Sequence, residues 1–142
     1  MKYLTQVICC ILLSSSTVVM AQDKQVKVHH VVMQLNTADT AVWSSTLGNI
    51  RNFQKVWPGK VEIEVVVHGK ALNFLVADKS HLVTDIELLT KQGVTFNACE
   101  NTMNKYGIKK AMLIPVVGSV PSGVAELVLK QEDGWSYLKT GY

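Results

Sequence analysis

The apolar residues of this chain fall into two alternating patterns. Residues 27–35 and 61–67 are short runs rich in β-branched side chains, and the first of them is too apolar for a sheet with one solvated face. Residues 41–57 instead carry apolar side chains at helical spacing and end at Pro58 and Gly59. The rest of the chain continues this alternation. The pattern predicts strands at 27–35, 61–67, 94–99, 112–117 and 135–139, and helices at 41–57, 82–92, 100–106 and 124–132.

Strictly alternating strands and helices of this length are typical of an α/β fold. We therefore predict a single three-layer α/β/α domain with a mostly parallel five-stranded sheet covered by helices on both faces. Right-handed crossovers would place every loop that follows a strand at one end of this sheet. Glu62 and Glu64 alternate along the second strand and favour an edge position for it, which would suit a strand order of 2-1-3-4-5.

The N-terminal residues 1–21 have the features of a cleaved signal peptide. Lys2 supplies a positive charge, residues 7–13 are apolar, and small residues precede a cleavage site after Ala21. The apolar part is far shorter than the roughly 20 residues that a membrane span needs. We therefore expect a periplasmic or secreted protein, with one domain at residues 22–142 and no membrane span in the mature chain.

Charge and motifs exclude several classes of function. The formal net charge is +3, part of which comes from the leader, and no basic stripe interleaved with aromatic residues suggests a nucleic-acid partner. The sequence has neither a dinucleotide-binding fingerprint nor a phosphate-binding loop, so we predict no cofactor. Two of the three cysteines lie in the leader, which leaves Cys99 without an intramolecular disulfide partner.

Cys99 is the strongest candidate for chemistry, because it lies where a predicted strand breaks into a helix. In α/β proteins that end of the sheet faces the ligand crevice, and a helix N-terminus favours a thiolate. His68 ends the second strand just before Gly69 and is a candidate hydrogen-bond partner of Cys99 or of a ligand. The other candidates for the crevice are polar or glycine residues in the same set of loops: Asn36, Gly69, Asn101, Ser119 and Gly123.

Each candidate also has a structural interpretation. A free cysteine is often an inert core residue, and a half-exposed histidine that ends a strand is the more ordinary interpretation of His68. Cys99, Met103 and His68 together would suit a soft metal such as copper, but no paired metal-ligand spacing supports that site, so we predict no metal.

Five segments of the chain resemble the DsrE/DsrF-like family: the runs at 65–69, 96–103 and 120–127, the opening strand at 28–35 and the ending at 131–135. The resemblance implies a three-layer fold with strand order 4-3-2-1-5, and assembly into homo-oligomers such as trimers or hexamers. It further implies a cysteine that carries sulfur as a persulfide between a sulfur donor and an acceptor protein. Only Cys99 can take that role here, with His68 on the neighbouring strand.

Two hypotheses remain open from the sequence. The first is an exported sulfur carrier of the sulfurtransferase type that works through Cys99. The second is a non-catalytic oligomeric module that binds a small ligand or assists assembly, in which Cys99 is structural. Family membership alone does not decide between them.

Overall fold

The computed structural model describes residues 27–141 and confirms the α/β fold; the predicted leader at 1–21 lies outside these residues. Within 27–141, no helix is both long enough and apolar enough to cross a membrane. Two 3-10 helices span Gly69–Leu75 and Lys110–Met112. The remaining elements are β1 (His29–Leu35), α1 (Thr40–Val56), β2 (Val61–Val67), α2 (Val83–Lys91), β3 (Thr95–Cys99), α3 (Glu100–Tyr106), β4 (Gly118–Val120), α4 (Gly123–Glu132) and β5 (Ser136–Lys139).

All five strands are parallel, in the order β4-β3-β2-β1-β5. The edge position that the sequence favoured for β2 is therefore wrong, because β2 lies between β1 and β3. Glu64 is nonetheless only 3% exposed. Lys130 on α4 forms an ion pair with its carboxylate at 2.7 Å, and the side-chain amide of Asn97 on β3 donates to it at 2.8 Å. A buried carboxylate needs such partners, and they explain how an acidic residue occupies a central strand.

The helices divide unequally between the two faces of the sheet. Successive crossovers from β1 to β4 move in one direction, so right-handedness places their helices on one face, where α1, α2 and α3 contribute to a large apolar core. The crossover from β4 to β5 returns across the sheet and places α4 on the opposite face. The core on that face is small and consists of Val32, Val66 and Leu127, with Trp135 packed against it.

The strand predicted at 112–117 is wrong. Ile114 instead donates its N–H to the carbonyl oxygen of Leu75 at 2.9 Å, and Leu113 forms an isolated antiparallel bridge with Val76. Pro115 has no N–H to offer a central ladder, which disfavours a strand through this segment. The fourth strand is the short Gly118–Val120, so half of the segment at 118–123 that was expected to be a loop belongs to the sheet.

Candidate functional site

Cys99 lies where the connections that follow two neighbouring strands leave for opposite faces of the sheet. It is the last residue of β3 and the N-cap of α3, which packs on the face with the large core. The neighbouring strand β4 leads into α4 on the opposite face, so the two helices diverge from adjacent strands. The N–H of Asn101 donates to the carbonyl oxygen of Pro121 at 3.3 Å and joins the two connections. In open α/β sheets, such a divergence is where ligands bind.

Gly123, the first residue of α4, makes an unusually close approach to Cys99. Its N–H donates to Sγ of Cys99 at 3.1 Å. A Cβ atom at position 123 would lie 3.1 Å from Cβ of Cys99, 3.2 Å from Cγ1 of Val66 and 3.3 Å from Cβ of His68. Only glycine therefore lets the start of α4 reach the sulfur without displacing these neighbours.

The surroundings of Cys99 favour its thiolate. Burial raises the pKa of the thiol, but the hydrogen bond from the N–H of Gly123, together with the nearby hydroxyl of Thr102 and the N–H groups of Thr102 and Asn101, more than offsets this effect. The pKa consequently lies below its ordinary value of 9.0. A lowered pKa raises the fraction of a thiol that is ionised at a given pH, and the thiolate is the form that attacks sulfur.

Thr102 is a site residue that the sequence analysis missed. Its Oγ1 accepts a hydrogen bond from the N–H of Gly69 at 3.1 Å, which leaves the hydroxyl proton free to point toward Cys99. Thr102 is the third residue after the N-cap of α3, a position whose groups commonly face the capping side chain. That spacing from Cys99 is the signal in the sequence by which it could have been found.

His68 lies beside Cys99 but hydrogen-bonds to another residue. The register of β2 and β3 pairs Val67 with Ala98, so His68 and Cys99 follow on neighbouring strands. The side-chain amide of Gln34 donates to Nε2 of His68 at 2.7 Å, and the hydroxyl of Tyr137 donates to the carbonyl oxygen of the Gln34 amide. Because an amide NH2 group can only donate, Nε2 of His68 is unprotonated in this arrangement. Burial lowers the pKa of His68 from 6.5, which also favours the neutral ring.

The remaining candidates lie at varying distances from the thiol. The carbonyl oxygen of Asn36 comes within 3.7 Å of the position that a Cβ of Gly69 would occupy, so the loops after β1 and β2 are adjacent. Ser119 donates its hydroxyl to the carboxylate of Glu100 at 2.7 Å and shows no hydrogen bond to Cys99 among the described residues. The structure thus gathers His68, Gly123 and Asn101 around Cys99, while Ser119 is directed toward Glu100. Their participation in chemistry stays a prediction.

A metal site is not apparent in the described part of the chain. Residues 27–141 contain no group of three or more His, Cys, Asp or Glu side chains that could hold a metal ion. Met103, which the soft-metal hypothesis required beside Cys99 and His68, packs into the large apolar core instead.

These observations define a class of protein: a parallel α/β domain whose described residues include one cysteine, buried at the carboxyl end of the sheet where two helices diverge. The chain belongs to the DsrE/DsrF-like family, whose pattern matches residues 18–140. No curated protein sequence gave a significant match.

Solved structures agree with this assignment. A protein of unknown function from Methanobacterium thermoautotrophicum, MTH1491, is 34% identical, with a TM-score of 0.75 over 78% of this chain and 98% of that chain. The ychN protein from E. coli is 16% identical, with a TM-score of 0.62 over 80% of this chain and 98% of that chain. BT1422 from Bacteroides thetaiotaomicron, also of unknown function, is 15% identical, with a TM-score of 0.63 over 78% and 93% of the two chains. The last two similarities concern the fold alone.

Replacing Thr102 with valine tests how the thiolate is stabilised. Valine keeps the shape but removes the hydroxyl, so we expect the pH profile of Cys99 alkylation by iodoacetamide to move to higher pH. Because the N–H of Gly69 also loses its acceptor, we expect the free energy of unfolding to fall by about 1–3 kcal/mol. The control T102S retains the hydroxyl and should keep the wild-type profile. A T102V profile identical to that of the wild type would contradict the role given to Thr102.

The lowered pKa of His68 predicts a dependence of stability on pH. The unfolded chain binds a proton at His68 near pH 6.5, whereas the folded chain does so only at lower pH. Stability is therefore unaffected by this group above 6.5 and falls as the pH drops from 6.5 to the lowered value. We expect H68Q, which can still accept from Gln34 but does not titrate, to lose less stability over that range in urea unfolding. An equal loss in both proteins would refute the assignment.

Proposed function

We propose that this protein carries sulfane sulfur as a persulfide on Cys99. Membership of the DsrE/DsrF-like family supports a sulfur-relay kind of function. The specific proposal rests on the surroundings of the sulfur atom. Cys99 lies between two diverging helices, and its Sγ accepts a hydrogen bond from the N–H of Gly123. The pKa of its thiol is also lowered. These features suit a thiol that must be an anion to attack sulfur and must afterwards hold an anionic persulfide.

The transfer consists of two balanced displacements without net oxidation. The Cys99 thiolate attacks a sulfur atom of a polysulfide, forming a new S–S bond as the S–S bond of the donor breaks and a shorter polysulfide or hydrosulfide leaves. With thiosulfate as donor, the leaving group is sulfite. An acceptor thiolate, on a partner protein in this proposal, then attacks the outer sulfur of the Cys99 persulfide and releases the Cys99 thiolate.

The peptide N–H groups around Cys99 and the hydroxyl of Thr102 serve both steps without changing their own protonation. The same N–H and hydroxyl donors that favour the thiolate would hold the terminal sulfur anion of the persulfide. His68 is the candidate proton partner. Because its Nε2 is occupied by Gln34, the ring offers only Nδ1, as an N–H donor, to a sulfur atom entering the crevice.

Mass spectrometry of the folded protein tests the proposal. After exposure to polysulfide, we expect the intact mass of the wild type to increase by one or more sulfur atoms, and a reductant or a small acceptor thiol to remove them. C99S should gain no sulfur.

We also propose that the protein is periplasmic or secreted. An intact-mass spectrum of protein exported with its leader should then show a chain that begins at Gln22.

The outcome also separates carrier from binding module. Cys99 is 5% exposed, an observation that by itself favours a structural cysteine. If the native protein gains no sulfur and Cys99 reacts with iodoacetamide only after unfolding, the carrier proposal is wrong. The protein would then be a non-catalytic module.

We also propose that copies of this chain associate through α4 into a homo-oligomer, a trimer or a hexamer. This helix packs on the sheet face with the small core, and it exposes Val124, Val128 and Leu129 by 59%, 53% and 54%. Apolar side chains grouped on one exposed helix mark a contact surface more often than chance.

A charge placed on α4 tests the association. We expect V128D to elute as a smaller species than the wild type in size-exclusion chromatography with light scattering, because an aspartate in an apolar contact is costly to desolvate. Val56, on α1, is 66% exposed and provides a matched control, so V56D should assemble as the wild type does. A monomeric wild type would contradict the proposal, as would equal dissociation of both variants.

A further inference from the structure

A cavity of about 410 Å³ opens near the carboxyl end of the sheet, apart from the thiol. It lies between the loop after β1, the first 3-10 helix and the C-terminal end of α3. Its size is within the range of sites that hold small organic molecules. The lining residues are Ala38, Gly69, Lys70, Leu72, Asn73, Lys79, Tyr106 and Ile108, and include neither Cys99 nor Gly123.

The lining of this cavity combines an apolar part with a cationic part. Leu72 and Ile108 belong to the large core and also line the cavity; at 1% and 7% exposure, only a small part of each side chain reaches an occupant. Tyr106 is 49% exposed, so its ring is available for stacking. An occupant of matching chemistry therefore has a flat or compact apolar body.

The charged groups of the cavity are all of one sign. Lys70 and Lys79 line it, and among the described residues no carboxylate does. Neither lysine forms an ion pair with another residue in 27–141. A third cation is close, because Nζ of Lys105 lies 5.7 Å from the centroid of the Tyr106 ring. Cations without a protein partner at the mouth of an apolar cavity favour an anionic ligand.

We propose that this cavity binds a small organic anion, with its apolar body against Leu72, Ile108 and Tyr106 and its carboxylate or phosphate near Lys70 and Lys79. The site goes beyond the sulfur chemistry at Cys99 and does not depend on it. The two sites are nevertheless close, since Gly69 lines the cavity and donates its N–H to Thr102 beside the thiol.

Amide chemical shifts of the full domain, measured by NMR during titration, test the site. The probes are phenylacetate, phenyl phosphate and the neutral phenylacetamide, which matches phenylacetate in shape. We expect at least one anion to give saturable shifts at Asn73, Lys79 and Tyr106, and the better anion identifies the headgroup as carboxylate or phosphate. Phenylacetamide should bind several-fold more weakly, since it lacks the charge that the lysines attract.

Charge-neutral variants complete the test. We expect K70Q and K79Q to weaken binding of the preferred anion by about three- to fivefold each, which is what loss of one exposed ion pair predicts. K110Q, a lysine outside the cavity, should bind as the wild type does. The spectrum of each free variant reports whether it is folded. The proposal is wrong if neither anion gives saturable shifts at these amides, if phenylacetamide binds equally well, or if K110Q weakens binding as much as K70Q and K79Q. Because no readout involves Cys99, failure here is separate from failure of the sulfur-carrier proposal.

Discussion

The right-handedness of crossovers between parallel strands determines where Cys99 is placed. Three crossovers run in one direction along the sheet and the fourth runs back, so α4 alone packs on the second face. The helices that follow β3 and β4 must therefore part on opposite sides of the sheet. Cys99 and Gly123 are the residues at which they part, and the hydrogen bond between them joins the two faces of the molecule.

The sheet face under α4 contains polar as well as apolar side chains, and the polar ones help to hold α4 in place. Glu64 lies under the helix, and its carboxylate is held by Lys130 and Asn97. Nζ of Lys130 also lies 4.2 Å from the centroid of the Trp135 ring. Desolvation lowers the pKa of Lys130, but the hydrogen bond and the negative charge of Glu64 outweigh this effect. The pKa of Lys130 is therefore raised, which favours its charged form. Buried ion pairs add little net stability, yet they fix the position of the elements that carry them when an unpaired charge would be costly. Here they fix α4, and hence Gly123, over the sheet.

Local pattern in the sequence predicted the α/β class, the positions of the first three strands and the location of Cys99 at a strand end. It did so because apolar periodicity and helix-capping signals act over a few neighbouring residues. The edge position expected for β2 was wrong because Glu64 finds its cation more than sixty residues later in the chain. The fourth strand was misplaced because Leu113 and Ile114 look apolar enough for a strand but pair with Val76 and Leu75 instead. Thr102 was missed although its spacing from Cys99 is a local signal, because the orientation of its hydroxyl is set by Gly69, more than thirty residues earlier in the chain.

The donors around Cys99 are peptide N–H groups and a hydroxyl, none of which carries a net charge. Dissolved salt screens interactions between exposed charges over about 10 Å, but it has little effect on short hydrogen bonds to a buried atom. We therefore expect the pKa of this thiol to depend little on ionic strength. The fraction of Cys99 in the thiolate form would then be nearly the same in dilute and in concentrated salt.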